Sequence, residues 1–347
     1  MKVKVFVIPR NHEYINRLGH SLNKAGIRVK NLKPFHYSTP MNILRLLFFR
    51  MAGYRIVHVH WLYIFPFAFV MKWFYFFCKV LGIRIIWEMH NIVPHSCKER
   101  DIKNARWFHE KAHAIIFHSK SDIERSREML GAESGKMHII IPHGNFSGSY
   151  ENTVSKKEAR KLLSIPAGMK VILCFGFIRK NRGYEYLIEA VKGMEDVVVV
   201  IAGKILESET YHQLVEYARG NANLKLFAKW VENSEVQFYF NACDIVVLPY
   251  THITTSGVIP LAYSFSRPVI TTNIGGIKGV VINESTGLLV SPEDAKALRE
   301  AIERLFSLDF EKMGRYAREY AEKEFSWDSN ARKIKELYLA VLTGNFL

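Results

Sequence analysis

The sequence predicts an α/β protein with two doubly wound, Rossmann-like domains. Two alternating series of short apolar runs and helical stretches, with a glycine-rich stretch between them, lead to this prediction. Strands that alternate with helices form parallel sheets through crossover connections. We therefore expect one parallel sheet in each half of the chain.

The first series contains β-branched runs short enough to be buried strands and longer stretches with helical spacing of apolar residues. Its predicted strands are 3–8, 55–60, 83–88, 114–117 and 138–141, and its predicted helices are 12–25, 66–81, 101–111 and 119–129. The stretch 144–153 is polar, rich in glycine and without period, which is typical of a linker.

The second series repeats the pattern after the linker. Its predicted strands are 170–175, 197–202, 224–227, 245–248, 269–272 and 287–290. Its predicted helices are 156–163, 183–191, 208–218, 232–242, 258–265, 292–307, 310–325 and 327–342, the last preceded by Ser326 as an N-cap.

The length supports two domains, because a single hydrophobic core rarely grows beyond about 250 to 300 residues. The chain has 347 residues, of which 49% are hydrophobic, so two cores can be filled. We place the domains at 1–150 and 151–327.

The cysteines and the N-terminus indicate a cytoplasmic protein. Cys78, Cys97, Cys174 and Cys243 are far apart and lack the spacing of a zinc site or a disulfide framework. The first apolar run is too short for a signal-peptide core and is typical of a buried strand. We expect no secretion.

The net charge of +15 is concentrated at the N-terminus. Residues 1–80 contain thirteen Lys or Arg against the single acid Glu13, a net of +12. Such a face is a solvated surface, a nucleic-acid footprint or a surface for anionic lipid. The aromatic-rich segments 41–51 and 63–81 favour lipid, and we find no nucleic-acid-binding module.

The segment 63–81 is about as long as a membrane span, but Lys72 lies at its centre and Pro66 interrupts its start. A charge at the centre of a span costs about 3 kcal/mol, so we do not expect spanning. Two alternatives remain open. The segment is a buried helix of the domain, or an interfacial helix whose Lys72 and Lys79 meet lipid phosphates.

Two arginines indicate a phosphate site in the second domain. Arg179 and Arg182 lie in the loop after the strand 171–175, which runs into Gly176. Ligands of doubly wound sheets bind outside the carboxyl ends of the strands, and guanidinium groups recognise phosphate oxygens with several donors. The alternative is a pair of solvated loop arginines.

A second phosphate-binding signal lies between residues 248 and 276. Here a buried strand is followed by a turn of small residues that opens a helix, where backbone N–H groups attract phosphate. The turn consists of Thr254, Thr255, Ser256, Gly257 and Val258. The strand that ends at Gly203 allows close backbone approach to a ligand, with Lys204 adding a charge, and Gly275 and Gly276 follow a later strand.

Histidines stand at the predicted strand ends of the first domain: His58, His60, His90, His95 and His143. A lone histidine is usually a satisfied core or turn residue, and this interpretation applies first to His58 and His143. His90 ends a strand and faces the predicted ligand edge of the sheet, which favours a functional role.

In this order, the arginine loop, the Ala202-Gly203 loop, the Ser256-Gly257 helix start, Arg267-Pro-Val-Ile and Phe325-Ser-Trp resemble GT-B glycosyltransferases such as those of glycosyltransferase family 4. The resemblance implies two domains facing across a cleft, with the C-terminal helix at 328–347 crossing back to the first. It departs from the family at Thr254 and Ala262, where paired glutamates are usual.

The resemblance also implies roles for the residues. His90, Arg179 and Arg182 correspond to catalytic groups, and Trp230 and Val231 to the segment that holds the base. Gly176, Gly203, Lys204 and residues 254–258 would bind the donor. Acceptor-side positions are Arg10, Asn11, His60, Trp61 and Asn91.

The expected reaction is metal-independent transfer of a hexose from a GDP- or UDP-linked donor, GDP-mannose or a UDP-hexose, to a hydroxyl of a lipid-linked saccharide or glycolipid. The chain has no Asp-x-Asp, so no metal is implied. A retaining course is favoured, and an inverting course would use His90, His60 or Glu88 as base. We expect a cytoplasmic protein at the inner face of the membrane. The alternatives are a GT-B sugar-nucleotide epimerase and a catalytically silent membrane-surface scaffold.

Overall fold

A computed structural model describes residues 3–8, 13–31, 39–62, 65, 68–90, 99–131, 135–253, 255–277 and 279–344. The expected site residues Arg10, Asn11, Asn91 and Thr254 lie outside the described residues, as does Cys97. The chain divides into two compact units, and the first is discontinuous in sequence. It contains Met1–Gly144 and Ser326–Leu347, whereas the second contains Asn145–Phe325.

The first unit is built on a six-stranded parallel sheet with the strand order β2-β1-β3-β4-β5-β6. The strands are β1 (Lys4–Ile8), β2 (Arg28–Asn31), β3 (Ile56–Val59), β4 (Arg84–Glu88), β5 (Ala114–Phe117) and β6 (His138–Ile140). Its helices are α1 (Glu13–Lys24), α2 (Thr39–Met51), α3 (Ala68–Val80), α4 (Glu99–Lys111), α5 (Lys120–Leu130) and, from the end of the chain, α13 (Trp327–Thr343).

Helices cover both faces of this sheet, because successive side chains of a strand point to opposite faces. Within β1, Phe6 and Ile8 pack into the core shared with α2 and α3. Val5 and Val7 pack into the core shared with α1 and α13. The inner strands β1, β3, β4 and β5 therefore supply two cores each, which explains their continuous apolar sequences.

The last helix, α13, is fixed to the first unit by packing and by polar contacts. Asn330 donates to the carbonyl of Pro142 at 3.0 Å, and Lys335 donates to the carbonyl of Ala25 at 2.7 Å. Ser326 caps the helix through the N–H of Ser329. The expected return of the C-terminal helix to the first domain is confirmed.

The second unit has its own six-stranded parallel sheet with the order β12-β11-β10-β7-β8-β9. The strands are β7 (Lys170–Phe175), β8 (Val197–Ala202), β9 (Leu224–Phe227), β10 (Ile245–Leu248), β11 (Val269–Thr272) and β12 (Gly287–Val290). The helices are α6 (Lys156–Leu162), α7 (Tyr184–Val191), α8 (Ser208–Arg219), α9 (Val236–Ala242), α10 (Val258–Ser264), α11 (Ala295–Ser307) and α12 (Phe310–Glu324). The predicted fold class, two parallel doubly wound α/β units, is confirmed.

The structure differs from the predicted elements at several places, and one of them is helix α2 (Thr39–Met51), which the sequence analysis did not predict. The edge strand β2 was not predicted, because its sequence Arg-Val-Lys-Asn is polar and only one face is partly covered. Helix α9 begins four residues later than expected. Helix α11 begins at Ala295 rather than at Pro292, because the side chain of Asp294 caps it by accepting from the N–H of Ala297.

The contact between Gly144 and Trp327 predicts a test of this packing. A Cβ at Gly144 would overlap the indole ring of Trp327. We expect Gly144→Ala to lower the free energy of unfolding of the first unit by about 1–3 kcal/mol, as overpacked cores do. Urea denaturation measures it, and Gly135→Ala is the matched control because a Cβ there meets open space. Equal stability of the two variants would contradict this packing.

Candidate functional sites in the two units

The arginine loop of the second unit begins where β7 ends. Gly176 has φ 112° and Gly183 has φ 64°, so both adopt backbone that disfavours other residues. A 3₁₀ turn at Lys180–Arg182 lies between them, and α7 follows. A Cβ at Gly203 would overlap the carbonyl of Gly176. The contact between these two loops is by itself enough to require a glycine at 203.

Arg182 is the most unusual group of this loop, because it is a nearly buried cation, 5% exposed, without a carboxylate partner among the described residues. Its Nη1 donates to Tyr250 Oη at 2.7 Å, and its guanidinium lies 5.0 Å from the centre of that ring. Its Nε has no hydrogen-bond partner among the described groups. Burial of a cation without a compensating anion is costly, and here the hydroxyl and ring of Tyr250 are its nearest described support.

Arg179 increases the positive charge of the same loop. Burial lowers the pKa of Arg179, and the neighbouring Arg182 lowers it further. Its Nε is also buried without a hydrogen-bond partner among the described groups. Two adjacent arginines that repel each other and hold unused donors can bind a multiply charged anion.

Tyr250 connects the arginine loop to the turn that opens α10. Its hydroxyl lies 2.8 Å from Ser256 Oγ as well as accepting from Arg182. The structure therefore brings Arg182 and Ser256 together, as the sequence analysis expected of the two phosphate signals. The sequence analysis missed Tyr250, although its position directly after β10 and Pro249 was a signal.

The other residues that were expected to bind the sugar donor differ in their exposure to solvent. Thr255 and Ser256 are half-buried, whereas Gly257 and Lys204 are exposed. Trp230 is 56% exposed and its ring lies 6.5 Å from that of Phe177, while Val231 is buried. Ala262 is fully buried in α10. No Asp or Glu occurs between Asp244 and Glu284, so this stretch offers no carboxylate.

In the first unit, the ends of three neighbouring strands converge on the carboxylate of Glu88, which is fully buried. We call Glu88, His58, His60, His90 and His118 the histidine cluster. The distances from Glu88 oxygens to the nearest imidazole nitrogens are 3.1 Å for His58, 3.4 Å for His60, 3.6 Å for His90 and 3.7 Å for His118.

Two tyrosines complete the surroundings of the histidine cluster. Tyr14 of α1 donates its hydroxyl to Glu88 Oε1. Tyr338 of α13 lies 2.7 Å from His58 Nδ1. Burial raises the pKa of Glu88, but the surrounding imidazoles outweigh it and hold the pKa below its ordinary value. Burial lowers the pKa of His60, so its ring is neutral.

Three imidazoles of the cluster form a continuous chain of hydrogen bonds. His60 Nδ1 lies 3.0 Å from His90 Nε2, and His90 Nδ1 lies 3.0 Å from His118 Nε2. His118 Nδ1 lies 2.9 Å from the carbonyl oxygen of Ile141. Trp61 stacks on His90 with ring centres 4.6 Å apart. The structure thus brings the expected residues His60, Trp61 and His90 together, and both ring nitrogens of His90 are engaged within the cluster.

The same groups have the spacing of a metal site, because the ligand atoms of Glu88 with His58 and His60, or with His90 and His118, lie within 4.8 Å of one another. For the group with His58 and His60, the rings argue against a metal ion. His58 and His60 lie face to face, with centres 4.3 Å and planes 24° apart, whereas a ligating ring must hold the ion in its own plane. A hydrogen-bonded cluster is the better description.

The sequence analysis did not identify His118 or Tyr14 as members of this site. His118 directly follows β5, as His60 follows β3 and His90 follows β4, and the carboxyl ends of parallel strands meet at one edge of a sheet. That position was the available signal. Tyr14 lies on a helix face with no such signal.

Doubly wound units with cations at the carboxyl ends of their strands are typical of proteins that bind nucleotide phosphates. Residues 155–324 match the family model described as glycosyl transferases group 1. The match spans nearly all of the second unit, so the expected resemblance to glycosyltransferases of this family is confirmed for that unit.

Several curated proteins are similar in sequence. A D-inositol 3-phosphate glycosyltransferase of Corynebacterium urealyticum is 24% identical over 247 residues, which is 67% of this chain and 58% of that protein. The putative teichuronic acid biosynthesis glycosyltransferase TuaC of Bacillus subtilis is 27% identical over 62% of this chain and 52% of its own length. The chain spans little more than half the length of these two relatives.

Solved structures share the fold over nearly the whole chain. Sucrose-phosphate synthase of Thermosynechococcus elongatus matches with TM-score 0.79 and 18% identity, covering 99% of this chain and all of that one. Anabaena HepE in complex with UDP matches with TM-score 0.76 and 15% identity, covering 98% of this chain and all of that one. At such identity the likeness shows the GT-B fold alone.

The buried histidines of the first unit predict a pH dependence of stability. Burial lowers the pKa of His60, and burial lowers the pKa of His109 and of His113 to about 4. Between about pH 6.5 and 4 the unfolded chain therefore binds more protons than the folded one, and stability falls as the pH falls. Glu88 adds to the loss only below about pH 4.5, where the unfolded chain begins to bind a proton that the folded carboxylate, with its depressed pKa, does not bind.

Urea denaturation at several pH values measures this slope. We expect His113→Gln to reduce the slope, by somewhat less than about one proton because the ring is only partly buried. The exposed His138, replaced by Gln, is the control. A wild-type stability that stays constant from pH 7 to 5 would contradict the burial of neutral imidazoles.

Proposed function

We propose that the protein is a metal-independent, retaining hexosyltransferase that moves a sugar from a GDP- or UDP-linked donor to a hydroxyl of a lipid-linked saccharide or glycolipid at a membrane surface. The observation that supports it most is Arg182, a buried cation without a carboxylate partner in the described part of the chain. In a group 1 glycosyltransferase domain, the natural anion for it is a nucleotide diphosphate.

The donor proposal rests on groups that lie together in the second unit. Arg179 and Arg182 offer guanidinium donors, and Tyr250 links Arg182 to Ser256 at the start of α10. Exposed Trp230, with Phe177 beside it, offers an aromatic surface for the base. Structural neighbours are described as bound to UDP, to UDP-glucose and, for Starch Synthase IV of Arabidopsis thaliana, to ADP, which supports a nucleoside diphosphate.

The mechanism follows from where charge develops. When the bond between the sugar and the diphosphate breaks, negative charge grows on the leaving phosphate oxygens. Preorganised donors stabilise such charge without reorganisation, and Arg179 and Arg182 supply them here. With no Asp-x-Asp in the chain, arginines take the place that a divalent ion has elsewhere. In a retaining course the donor phosphate receives the proton of the acceptor hydroxyl.

The acceptor proposal rests on α2 and α3 of the first unit. Met71, Phe74 and Cys78 of α3 face the core, whereas its opposite face exposes apolar side chains. Exposed large apolar residues on the two helices are Leu44, Leu47, Phe48, Met51, Phe69, Trp73, Phe76 and Val80. Exposed Arg45, Lys72 and Lys79 lie among them. The sequence analysis left two alternatives for the segment 63–81, a buried helix and an interfacial helix. In α3, one face packs into the core and the opposite face presents apolar side chains to the outside.

Such a surface suits the headgroup region of an anionic membrane, where aromatic rings insert and lysines meet phosphates. No described helix has the length and apolar composition of a transmembrane span. Peripheral contact through α2 and α3 would bring the first unit to a lipid-linked acceptor.

Nucleotide binding tests the donor proposal directly. We expect UDP or GDP to raise the melting temperature of the wild-type protein, because a ligand of the native state stabilises it by mass action. Arg182→Ala should abolish the shift and Arg179→Ala should reduce it, whereas Lys180→Ala, an exposed cation of the same loop, is the control. Because Arg182 is buried, Arg182→Lys serves as a second variant that keeps the charge.

Transfer assays with the same proteins complete the test. Arg182→Ala and His90→Ala should abolish sugar transfer while the fold remains intact, and wild-type turnover should survive a chelator. Normal transfer by both variants would refute the site assignment. Sugar-nucleotide conversion without an acceptor would support an epimerase, and no thermal shift with any nucleotide would support a scaffold.

Membrane binding is measured by co-sedimentation with vesicles. We expect binding to vesicles with anionic lipid, weakened by salt, and loss of binding in the triple variant Phe48→Ser, Trp73→Ser, Phe76→Ser. The control replaces two exposed tyrosines of the second unit, Tyr217→Ser and Tyr316→Ser. Equal binding by the triple variant and the control would rule out this surface as the membrane contact.

A further inference from the structure

The row of hydrogen bonds from Ile141 through His118 and His90 to His60 has a definite direction, which assigns the protons of three rings. A carbonyl oxygen only accepts, so His118 Nδ1, 2.9 Å from the oxygen of Ile141, must carry a hydrogen. In the neutral ring, His118 Nε2 is then the acceptor. Its partner at 3.0 Å, His90 Nδ1, must donate.

The same reasoning continues to the far end of the row. With its hydrogen on Nδ1, the neutral ring of His90 presents Nε2 as an acceptor. His60 Nδ1, 3.0 Å away, therefore donates to it. This leaves His60 Nε2 as a bare lone pair, which agrees with the absence of any hydrogen-bond partner for that atom among the described groups.

The opposite arrangement is less favourable. If His90 carried a second hydrogen on Nε2 and donated to His60 Nδ1, His60 would have its hydrogen on Nε2. That N–H would be fully buried without a partner among the described groups, and an unpaired buried donor costs more than an unused lone pair. Glu88 Oε2 lies 3.4 Å from His60 Nδ1 and favours a hydrogen on that atom, whereas Glu88 Oε1 lies 3.6 Å and 3.7 Å from the acceptor Nε2 atoms of His90 and His118.

Glu88 has a second consequence for His90. A sugar hydroxyl that donates to His90 Nε2 must displace the N–H of His60. Because Glu88 Oε2 lies within reach, that N–H can turn to the carboxylate and keep a partner. His90 is also the most exposed ring of the row, with 10% of its side chain accessible against 2% for His118 and none for His60.

We propose that His118 and Glu88 are positioning residues for His90, which they hold in the Nδ1–H tautomer so that Nε2 is the atom that accepts a hydrogen bond from a sugar hydroxyl. The inference rests on the proposed glycosyltransferase function for the role of His90. The tautomers themselves follow from the first unit alone. Which nitrogen of a histidine bears the proton is set by the bond that the other one makes, and this decides what the ring can do.

Nitrogen NMR of the full chain labelled with ¹⁵N-histidine tests the tautomers without any substrate. We expect His118, His90 and His60 as Nδ1–H rings, opposite to the tautomer that free histidine favours in water. His113 is an internal reference, because the N–H of Ile85 donates to its Nδ1 at 3.0 Å and requires the Nε2–H form. A His90 ring in the Nε2–H form, or one bound to a stoichiometric metal ion by elemental analysis, would overturn the inference.

Variants test the positioning role. His118→Phe removes the acceptor of His90 and should shift its tautomer and lower kcat by at least about tenfold with little change in KM, because a ring held in the wrong tautomer loses its function. His118→Gln, which keeps an acceptor oxygen, should recover part of the loss. Glu88→Gln should also lower kcat, and His138→Gln should leave it unchanged.

The outcomes separate this inference from the proposed function. An active wild-type enzyme whose His90 has the Nε2–H form overturns the inference alone. The expected tautomers in a protein that transfers no sugar from any nucleotide donor overturn the proposed function, and with it the role of His90. If His118→Phe fails to fold, the wild-type spectra and His118→Gln still decide the question.

Discussion

The first unit is organised around one buried negative charge. The carboxylate of Glu88 lies at the ends of β3, β4 and β5, accepts the hydroxyl of Tyr14 from α1 and lies within 3.7 Å of an imidazole nitrogen of each of four histidines. Tyr338 adds α13 through His58. A carboxylate without exposure is tolerable only if such groups surround it. The strand ends, two helices and the orientation of His90 therefore depend on the same charge.

The second unit presents the complementary case, in which a buried positive charge is left without its anion. Arg182 has aromatic and hydroxyl partners but no carboxylate among the described residues, and Arg179 adds a second cation. The carboxylate of Glu88 is surrounded by imidazole nitrogens and a tyrosine hydroxyl of the same unit, whereas Arg182 has no opposite charge beside it among the described residues. In the two proposals made above, the first is a positioning cluster and the second a binding site, although both consist of buried charges at strand ends.

The spacing of apolar residues and the positions of turn residues were sufficient to predict the architecture, because strands that are buried on both faces have continuous apolar sequences. The strand β2 was missed since it is polar and lies at an edge. Among site residues, Arg182 and Ser256 followed from loop position, but Tyr250, which joins them, did not. His118 required knowledge of strand order, because only the adjacency of β4 and β5 brings it beside His90. Spatial partners that are distant in sequence leave no local pattern.

The return of α13 to the first unit affects the order in which the two units can complete folding during synthesis. The segment Asn145–Phe325 lies between the two parts of the first unit, so that unit cannot be completed until roughly 180 more residues have been synthesised after Gly144. At usual rates of translation this takes on the order of 10 to 40 s. During that time the face of β1 that holds Val5 and Val7 lacks Trp327, Ile334 and Tyr338, and it stays partly uncovered. The inserted unit can fold first, while the unit that begins the chain finishes last.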